Sequence, residues 1–293
     1  QMCIRDIFFL QVFPTKEVES MAKRQYRKLV RVKGKRGEIV DRHGNVLALS
    51  VKTISIYADP QLKSKRQKLS AKELRTIGIS RKEFNKKIAR SKKRRFVWLN
   101  RNIDLNTTAA VKELTEKYKW LGTIPTYKRV YLHKHLMAQT IGFTSIDGLG
   151  LAGVERQFDS LLKGKETTVR LFRDGINRTV YQNISELRRS WVPGADVELT
   201  LDLKLQYRIA QILETYRKKF RSKSAMALVY NVVNGEIYGL SNRPSFDPSM
   251  AAYYPVSLRR NRIVSDSIEP GSLIKTFVVA AGLESKKIKF NDV

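Results

Sequence analysis

An α+β fold built on an antiparallel sheet is what this chain predicts, and three stretches carry that expectation. Leu205, Ile209, Ile212, Leu213 and Tyr216 recur at helical spacing. Residues 225–230 and 236–240 then flank Asn234-Gly235, a dipeptide that accepts the left-handed backbone of a tight hairpin turn. After a long loop comes Pro270-Gly271, a turn signal, and an apolar run of helical length from Ser272 to Leu283. Helix, hairpin, loop and helix in that order place neighbouring strands antiparallel.

The elements before this region follow the same logic. Residues 14–35 are polar, basic and helix-compatible, which predicts an exposed stalk or connector. Residues 36–50 read as a turn and short strand, with Asp41-Arg42-His43-Gly44-Asn45 supplying the turn chemistry. Residues 53–58 alternate like a strand and stop before Pro60. Ser70 with Glu73, and Ser80 with Glu83, are capping boxes that each open a short helix. A strand over 95–99 precedes a helix that starts at Asn106 or Thr107 and ends near Tyr118. Residues 123–131 alternate again, 147–150 form a loop, and 154–162 make an amphipathic helix closed by Gly164. Residues 168–172 and 177–181 flank Asp174-Gly175, another hairpin signal, and Pro193-Gly194-Ala195 marks a boundary. There is no internal repeat.

A chain of 293 residues with 42% hydrophobic residues can fill two domain cores. Its net charge of +30 points first to a polyanion, but the cations are spread along the chain and no RNP-like aromatic motif, zinc-finger spacing or basic heptad accompanies them. Nucleic acid is therefore not the expected partner; a basic proteome or an anionic membrane surface accounts for the charge as well. Cys3 stands alone, so no disulfide forms within the chain. His133 and His135 share one side of a predicted strand without further ligand residues beside them, so neither a metal site nor a cofactor is expected. Residues 7–13 are apolar but far short of the ~20 residues a membrane span needs. They read as the end of a truncated anchor or an apolar helix start, and the first six residues as a scar.

The chemistry concentrates at Glu269-Pro270-Gly271-Ser272-Leu273-Ile274-Lys275. Ser-x-x-Lys occurs three times, at Ser20/Lys23, Ser160/Lys163 and Ser272/Lys275, so spacing alone decides nothing. Context separates the third. One helical turn puts Ser272 and Lys275 on the same face. Free N–H groups at a helix start favour negative charge developing at the serine. Phe277, Val278, Val279, Ala280, Ala281 and Leu283 follow, apolar nearly all round, which predicts a buried helix. A lysine stripped of water there becomes a base able to take the serine proton.

Four blocks together resemble a known family. They are Arg36-Gly37-Glu38-Ile39-Val40-Asp41-Arg42-His43-Gly44-Asn45; Gly150-Leu151-Ala152-Gly153-Val154-Glu155-Arg156-Gln157-Phe158-Asp159 with Leu162-Lys163-Gly164; Leu199-Thr200-Leu201-Asp202 with Leu205-Gln206; and Arg260-Asn261-Arg262, Asp266 and Glu269-Pro270-Gly271-Ser272. In that order they resemble the class B penicillin-binding proteins, peptidoglycan D,D-transpeptidases, of the septal type. Departures are Tyr131-Leu132 in place of Tyr-Pro, Ala138-Gln139-Thr140-Ile141-Gly142 in place of Ala-His-Ile-Gly, and a shortened segment after Gly164.

The resemblance implies a residual anchor or scar over 1–13, a pedestal (dimerisation) domain over 14–196 and the first part of a transpeptidase domain over 197–293. It implies Ser272 as nucleophile and Lys275 as general base, with no cofactor and no metal. Implied partners are stem peptides ending in D-Ala-D-Ala, β-lactams, a membrane-embedded glycosyltransferase and other division proteins. Implied location is the cytoplasmic membrane, crossed once, with the domains on its outer side. The family's Ser-x-Asn and Lys-Thr-Gly motifs are not found in these 293 residues, so a fragment truncated at both ends and inactive by itself is expected. Arg36, Asp41 and Arg42 become candidates for a buried ion-pair network between the two domains, or else plain surface charges. Gly150, Gly153 and Glu155 are expected to be architectural. The competing functions are a β-lactamase or β-lactam sensor, a non-catalytic scaffold binding division proteins, and a basic nucleic-acid binder.

Overall fold

The computed structural model describes residues 27–64, 67–91, 94, 96–103, 105–173, 179–180 and 192–292. The expected anchor, Cys3, the Ser20/Lys23 match and the Asp174-Gly175 turn lie outside the described residues. In chain order, β1 (Arg27–Lys33) is followed by β2 (Ile39–Val40) and β3 (Val46–Ala58). Helices α1 (Ala71–Thr76) and α2 (Arg81–Arg90) precede β4 (Val97–Ile103), α3 (Thr108–Lys117) and β5 (Leu121–Tyr131). Short helices α4 (Ala138–Ile141), α5 (Gly153–Gln157) and α6 (Asp159–Leu162) lead to β6 (Glu166–Arg173), β7 (Thr179–Val180) and β8 (Val197–Glu198). The remainder holds α7 (Leu203–Lys219), the β9 (Ala225–Tyr230) and β10 (Ile237–Arg243) hairpin, α8 (Val256–Arg259), α9 (Arg262–Ser265) and α10 (Ile274–Glu284).

Strand β3 is the spine. One edge pairs with β5 from Ala48↔Tyr131 to Ala58↔Leu121. The other edge takes β2 near its start and β4 near its end, and β2 in turn pairs in parallel with β8. The capping signals act as expected at α1, where Ser70 Oγ accepts from the Glu73 N–H and Glu73 accepts from the Ser70 N–H. At α2 only the Ser80 half of the box forms. Around the end of β3 a core closes on Trp120, Phe84, Leu69, Ile77, Leu99 and Val111. A second core, with Ile39, Leu47, Tyr131, Ile141, Leu162 and Val197, also takes in Leu201 and Leu240 from the C-terminal region.

Several elements differ from the sequence reading. Residues 27–33 form a strand, antiparallel to β6, where a helix-compatible stalk is predicted. Lys28, Arg31 and Lys33 mask a pattern whose partner lies far along the chain. His133 and His135 sit in and beside a 3₁₀ turn (Lys134–Leu136), not on a strand. The predicted 154–162 helix is broken at Phe158. The Glu155 carbonyl that would continue it instead accepts from Arg36 Nη2 at 2.7 Å.

That contact belongs to a buried charge network. Glu155, 0% exposed, binds Arg36 Nε at 2.7 Å and Arg129 Nε at 2.6 Å through its two carboxylate oxygens. Arg36 also reaches Asp159 at 2.6 Å and the Gly148 carbonyl at 3.1 Å. Burial pushes the Asp159 carboxyl up, but the Gly150 N–H and the Arg36 guanidinium outweigh it and hold the group below its ordinary range. Glycines permit the close approach. A Cβ at Gly150 would lie 2.0 Å from the Glu155 carbonyl oxygen, and one at Gly142 (φ +78°) 1.9 Å from that of Ala152. Arg36 thus joins elements of the N-terminal region to one another, and does not link the two domains. Gly150 and Glu155 are architectural, as expected.

Candidate active site

Asp41 and Arg42 do span the junction. Asp41 accepts from the N–H groups of His43 (2.9 Å) and Asn45 (2.8 Å), and from the Asn45 side chain (2.9 Å). Its remaining capacity accepts from the N–H of Leu203 (3.1 Å), the first residue of α7. Burial raises the Asp41 carboxyl, yet these donors together hold it below its ordinary value. Arg42 donates its N–H to the Leu201 carbonyl and lays its guanidinium 4.2 Å from the centre of the Tyr238 ring. Asp202 caps α7 by accepting from the Leu205 N–H at 3.0 Å. The Asp41 turn therefore fixes the start of α7.

Helix α7 fixes β10 in turn. Gln206 is fully buried and behaves like a strand partner. Its Oε1 accepts from the Leu240 N–H at 2.9 Å, and its Nε2 donates to the Leu240 carbonyl at 2.8 Å. Both outward-facing groups of Leu240 are thereby satisfied inside the core. Two residues on, Asn242 is 3% exposed and holds the approach to the serine. Its Oδ1 accepts from the Arg262 N–H (3.1 Å) and its Nδ2 donates to Asn261 Oδ1 (3.0 Å). Asp266 closes this loop by pairing with Arg260 at 2.5 Å and Arg262 at 2.9 Å.

Ser272 then sits in a 3₁₀ turn (Gly271–Leu273) that runs directly into α10. Gly271 adopts φ +55°, a backbone that side-chain-bearing residues resist. The continuous helical backbone puts Ser272 and Lys275 on adjacent rungs of one face at the helix start. Leu273 N–H bonds the Pro270 carbonyl at 3.2 Å, so the turn is self-supporting. Among the described residues neither the Ser272 nor the Lys275 side chain has a hydrogen bond or ion pair, and both are exposed.

The expected burial of this helix is not seen. Phe277 is 69% exposed, and Ile274, Val278 and Val279 are also open. The helix is apolar nearly all round, yet residues 274–280 are all exposed; it packs against its own 3₁₀ turn, and Ile288 folds back on Gly282. Among the described residues β9 pairs with β10 alone. Ser272 and Lys275 lie three residues apart where the 3₁₀ turn enters α10, whereas Ser160 and Lys163 lie at a helix end in the N-terminal region.

Sequence reasoning missed the roles of three residues, of which Gln206 is quoted only as part of a family block. Arg129 shares strand parity with buried Tyr131 on β5, which is a readable sign that its side chain points inward. Gln206 and Asn242 carry no such sign, because a buried amide is known only by what it bonds. Among the described residues no cluster of His, Cys, Asp and Glu is arranged to hold a metal, and no helix is long and apolar enough to cross a membrane.

Comparison with known proteins places this geometry. Residues 31–199 match the Penicillin-binding Protein dimerisation domain, and residues 225–293 the Penicillin binding protein transpeptidase domain. A probable peptidoglycan D,D-transpeptidase, PenA, from Neisseria meningitidis is 32% identical over 88% of this chain and 44% of its own length. The peptidoglycan D,D-transpeptidase FtsI of Escherichia coli is 29% identical over 88% of this chain and 44% of its own. A peptidoglycan synthetase from Bifidobacterium adolescentis has the same fold over 91% of this chain and 52% of its own, at a TM-score of 0.59 and 22% identity. The chain spans about half the length of the curated relatives it matches. With a dimerisation domain leading into a transpeptidase domain, it belongs to the class B penicillin-binding protein family.

Proposed function

We propose that this chain carries the nucleophile of a peptidoglycan D,D-transpeptidase. Ser272 Oγ attacks the carbonyl carbon of the penultimate D-Ala of a stem peptide, and Lys275 takes the hydroxyl proton. The proton passes to the amine of the departing D-Ala as its peptide bond breaks, leaving an ester on Ser272. An amine from a neighbouring stem then attacks the ester, forms the cross-link and frees the serine. The Ser272 N–H is one oxyanion donor, aided by the positive end of α10. β-Lactams, which mimic the D-Ala-D-Ala end, acylate the same hydroxyl.

The single observation that supports this most is the pairing of Ser272 and Lys275 one turn apart behind a left-handed glycine, at the start of an apolar helix. Asn242 and Asp266 hold the approach loop that delivers them. Residues 14–196 serve as the pedestal, and residues 197–293 form the first part of the transpeptidase domain. Septal synthesis, a single-pass anchor in the cytoplasmic membrane and an outer-face location complete the reading, with a membrane-embedded glycosyltransferase and other division proteins as partners.

Fluorescent penicillin, applied to membranes containing the full-length protein in which these residues lie, provides the test. Labelling is expected to vanish in Ser272→Ala. In Lys275→Ala it is expected to slow by about 10²–10⁴-fold, the usual loss on removing a general base. Undiminished labelling of Ser272→Ala would refute the assignment.

A further inference from the structure

Gln139 lies on α4, inside the dimerisation-domain match, and is 6% exposed. Its side chain bonds three residues of the transpeptidase match. Nε2 donates to the Pro244 carbonyl (3.2 Å) and to the Leu258 carbonyl (3.2 Å), and Oε1 accepts from the Ser245 hydroxyl (3.1 Å). Pro244 and Ser245 directly follow β10, whereas Leu258 lies on α8, just before the approach loop. One amide of the first domain therefore pins the two ends of the 244–258 segment to each other.

The segment's own bonds do not do this. Met250 N–H to Asp247, Tyr254 N–H to Ala251 and Leu258 N–H to Pro255 each reach back three residues, so they shape it locally without joining its ends. Packing seats it on the same stretch of the first domain: Ala138 shares a small core with Phe246 and Ala251, and Phe143 and Leu258 pack against that core. Such packing holds the segment in place but is not directional, whereas three hydrogen bonds fix its register. Asn242 takes over where Gln139 stops. Three residues after Leu258 comes Asn261, whose side chain, together with the Arg262 N–H, is held by Asn242. Along the chain there follow a root fixed by Gln139, a bend fixed by Asn242 and the turn that carries Ser272.

We infer that Gln139 is a positioning residue for acyl transfer: by closing the 244–258 segment on α4, it sets the point from which the approach loop leaves for Ser272. The inference rests on the assignment of Ser272 as nucleophile. Gln139 touches no reacting atom and acts through Leu258 and the Asn261–Arg262 bend. The pedestal thereby contributes a residue to the geometry of the transpeptidase site. Misplacing a reacting group by about 1 Å from a distance is enough to slow a chemical step about 10²-fold.

The test is rapid-mixing acylation of the full-length protein, purified in detergent, by a fluorescent penicillin, which separates the Kd of the first complex from the acylation rate constant k2. In Gln139→Met, which keeps the length of the side chain without its polar atoms, k2 is expected to fall about 10–100-fold, with the Kd and the final labelled fraction nearly unchanged. A residue that only holds the fold would lower Tm and the labelled fraction while leaving k2 of the labelled protein as it was, and that result overturns the inference. Ser245→Ala, which removes only the hydroxyl donor, is expected to lower k2 about 2–10-fold, and to add little in the Gln139→Met background. Strictly additive losses overturn the inference too. Should Gln139→Met yield no folded protein, Ser245→Ala decides alone, and an unchanged k2 overturns the inference. Unchanged k2 in both variants, with the label on Ser272, leaves the nucleophile standing and removes only the role of Gln139; no label on Ser272 in the unsubstituted protein removes both.

Discussion

Substituting Glu155 by Gln removes one charge from the centre of the N-terminal region while keeping its shape. In the native network the carboxylates of Glu155 and Asp159 balance the guanidinia of Arg36 and Arg129. After the change Arg36 keeps Asp159, whereas Arg129 keeps the Gly37 carbonyl at 2.6 Å and the Ser50 hydroxyl at 3.3 Å and faces a neutral amide in place of the carboxylate. One buried cation is left without a counter-charge, a loss of about 3–5 kcal/mol. With a urea slope of about 2 kcal/mol per molar, the unfolding midpoint falls by about 2 M. Tryptophan fluorescence reads this transition selectively, since Trp98, Trp120 and Trp191 all lie within the dimerisation-domain match. The double variant Glu155→Gln/Arg129→Gln is expected to lose less than the sum of the two single changes, because the second removes the stranded cation. A midpoint shift corresponding to under about 1 kcal/mol, or strictly additive losses, would mean the network behaves like a solvated surface pair, and the reasoning would be refuted.

Three further outcomes are expected. Gln206→Leu keeps the volume but strands the N–H of Leu240 and leaves its carbonyl only the Thr140 hydroxyl at 3.3 Å, and is expected to cost about 1–3 kcal/mol in equilibrium unfolding. Burial raises the Glu73 carboxyl, but Lys117, the Ser70 N–H and Tyr118 bring it down to about 2, from an ordinary 4.5. A depressed carboxyl contributes stability that is full above the ordinary value and fades as pH falls towards 2, so Glu73→Gln is expected to flatten the acid limb of a Tm-against-pH profile over that window. Gly142→Ala, which forces a side chain onto φ +78° and against the Ala152 carbonyl, is expected to lower stability by about 2–5 kcal/mol in thermal melts.

Local chemistry was legible in the sequence wherever it is decided by neighbours. The Ser70 box, the Asn234-Gly235 hairpin, the α7 period and the Pro270-Gly271-Ser272 turn all lie where their residues predict. Elements decided by distant partners were not. Residues 27–33 become a strand only because 166–172 lie beside them, and the 154–162 helix breaks because Arg36, more than a hundred positions away, takes a carbonyl from it. Composition reads Ile274, Phe277 and Val278 as a buried helix, yet composition gives only a preference for burial, and no described element covers them. At the site, the turn that carries Ser272 and the helix start that carries Lys275 were legible from spacing and context. The amides of Gln206 and Asn242, which hold the scaffold behind them, were invisible because their role lies in backbone groups that no sequence pattern marks.

The most direct test is to locate the adduct. After the full-length protein reacts with a β-lactam, trypsin releases Ile263–Lys275, which contains Ser265, Ser267 and Ser272. Fragmentation in the mass spectrometer is predicted to place one drug-derived acyl group on Ser272. An adduct on Ser265, Ser267 or another peptide, or no adduct at all, would contradict acyl transfer through this turn.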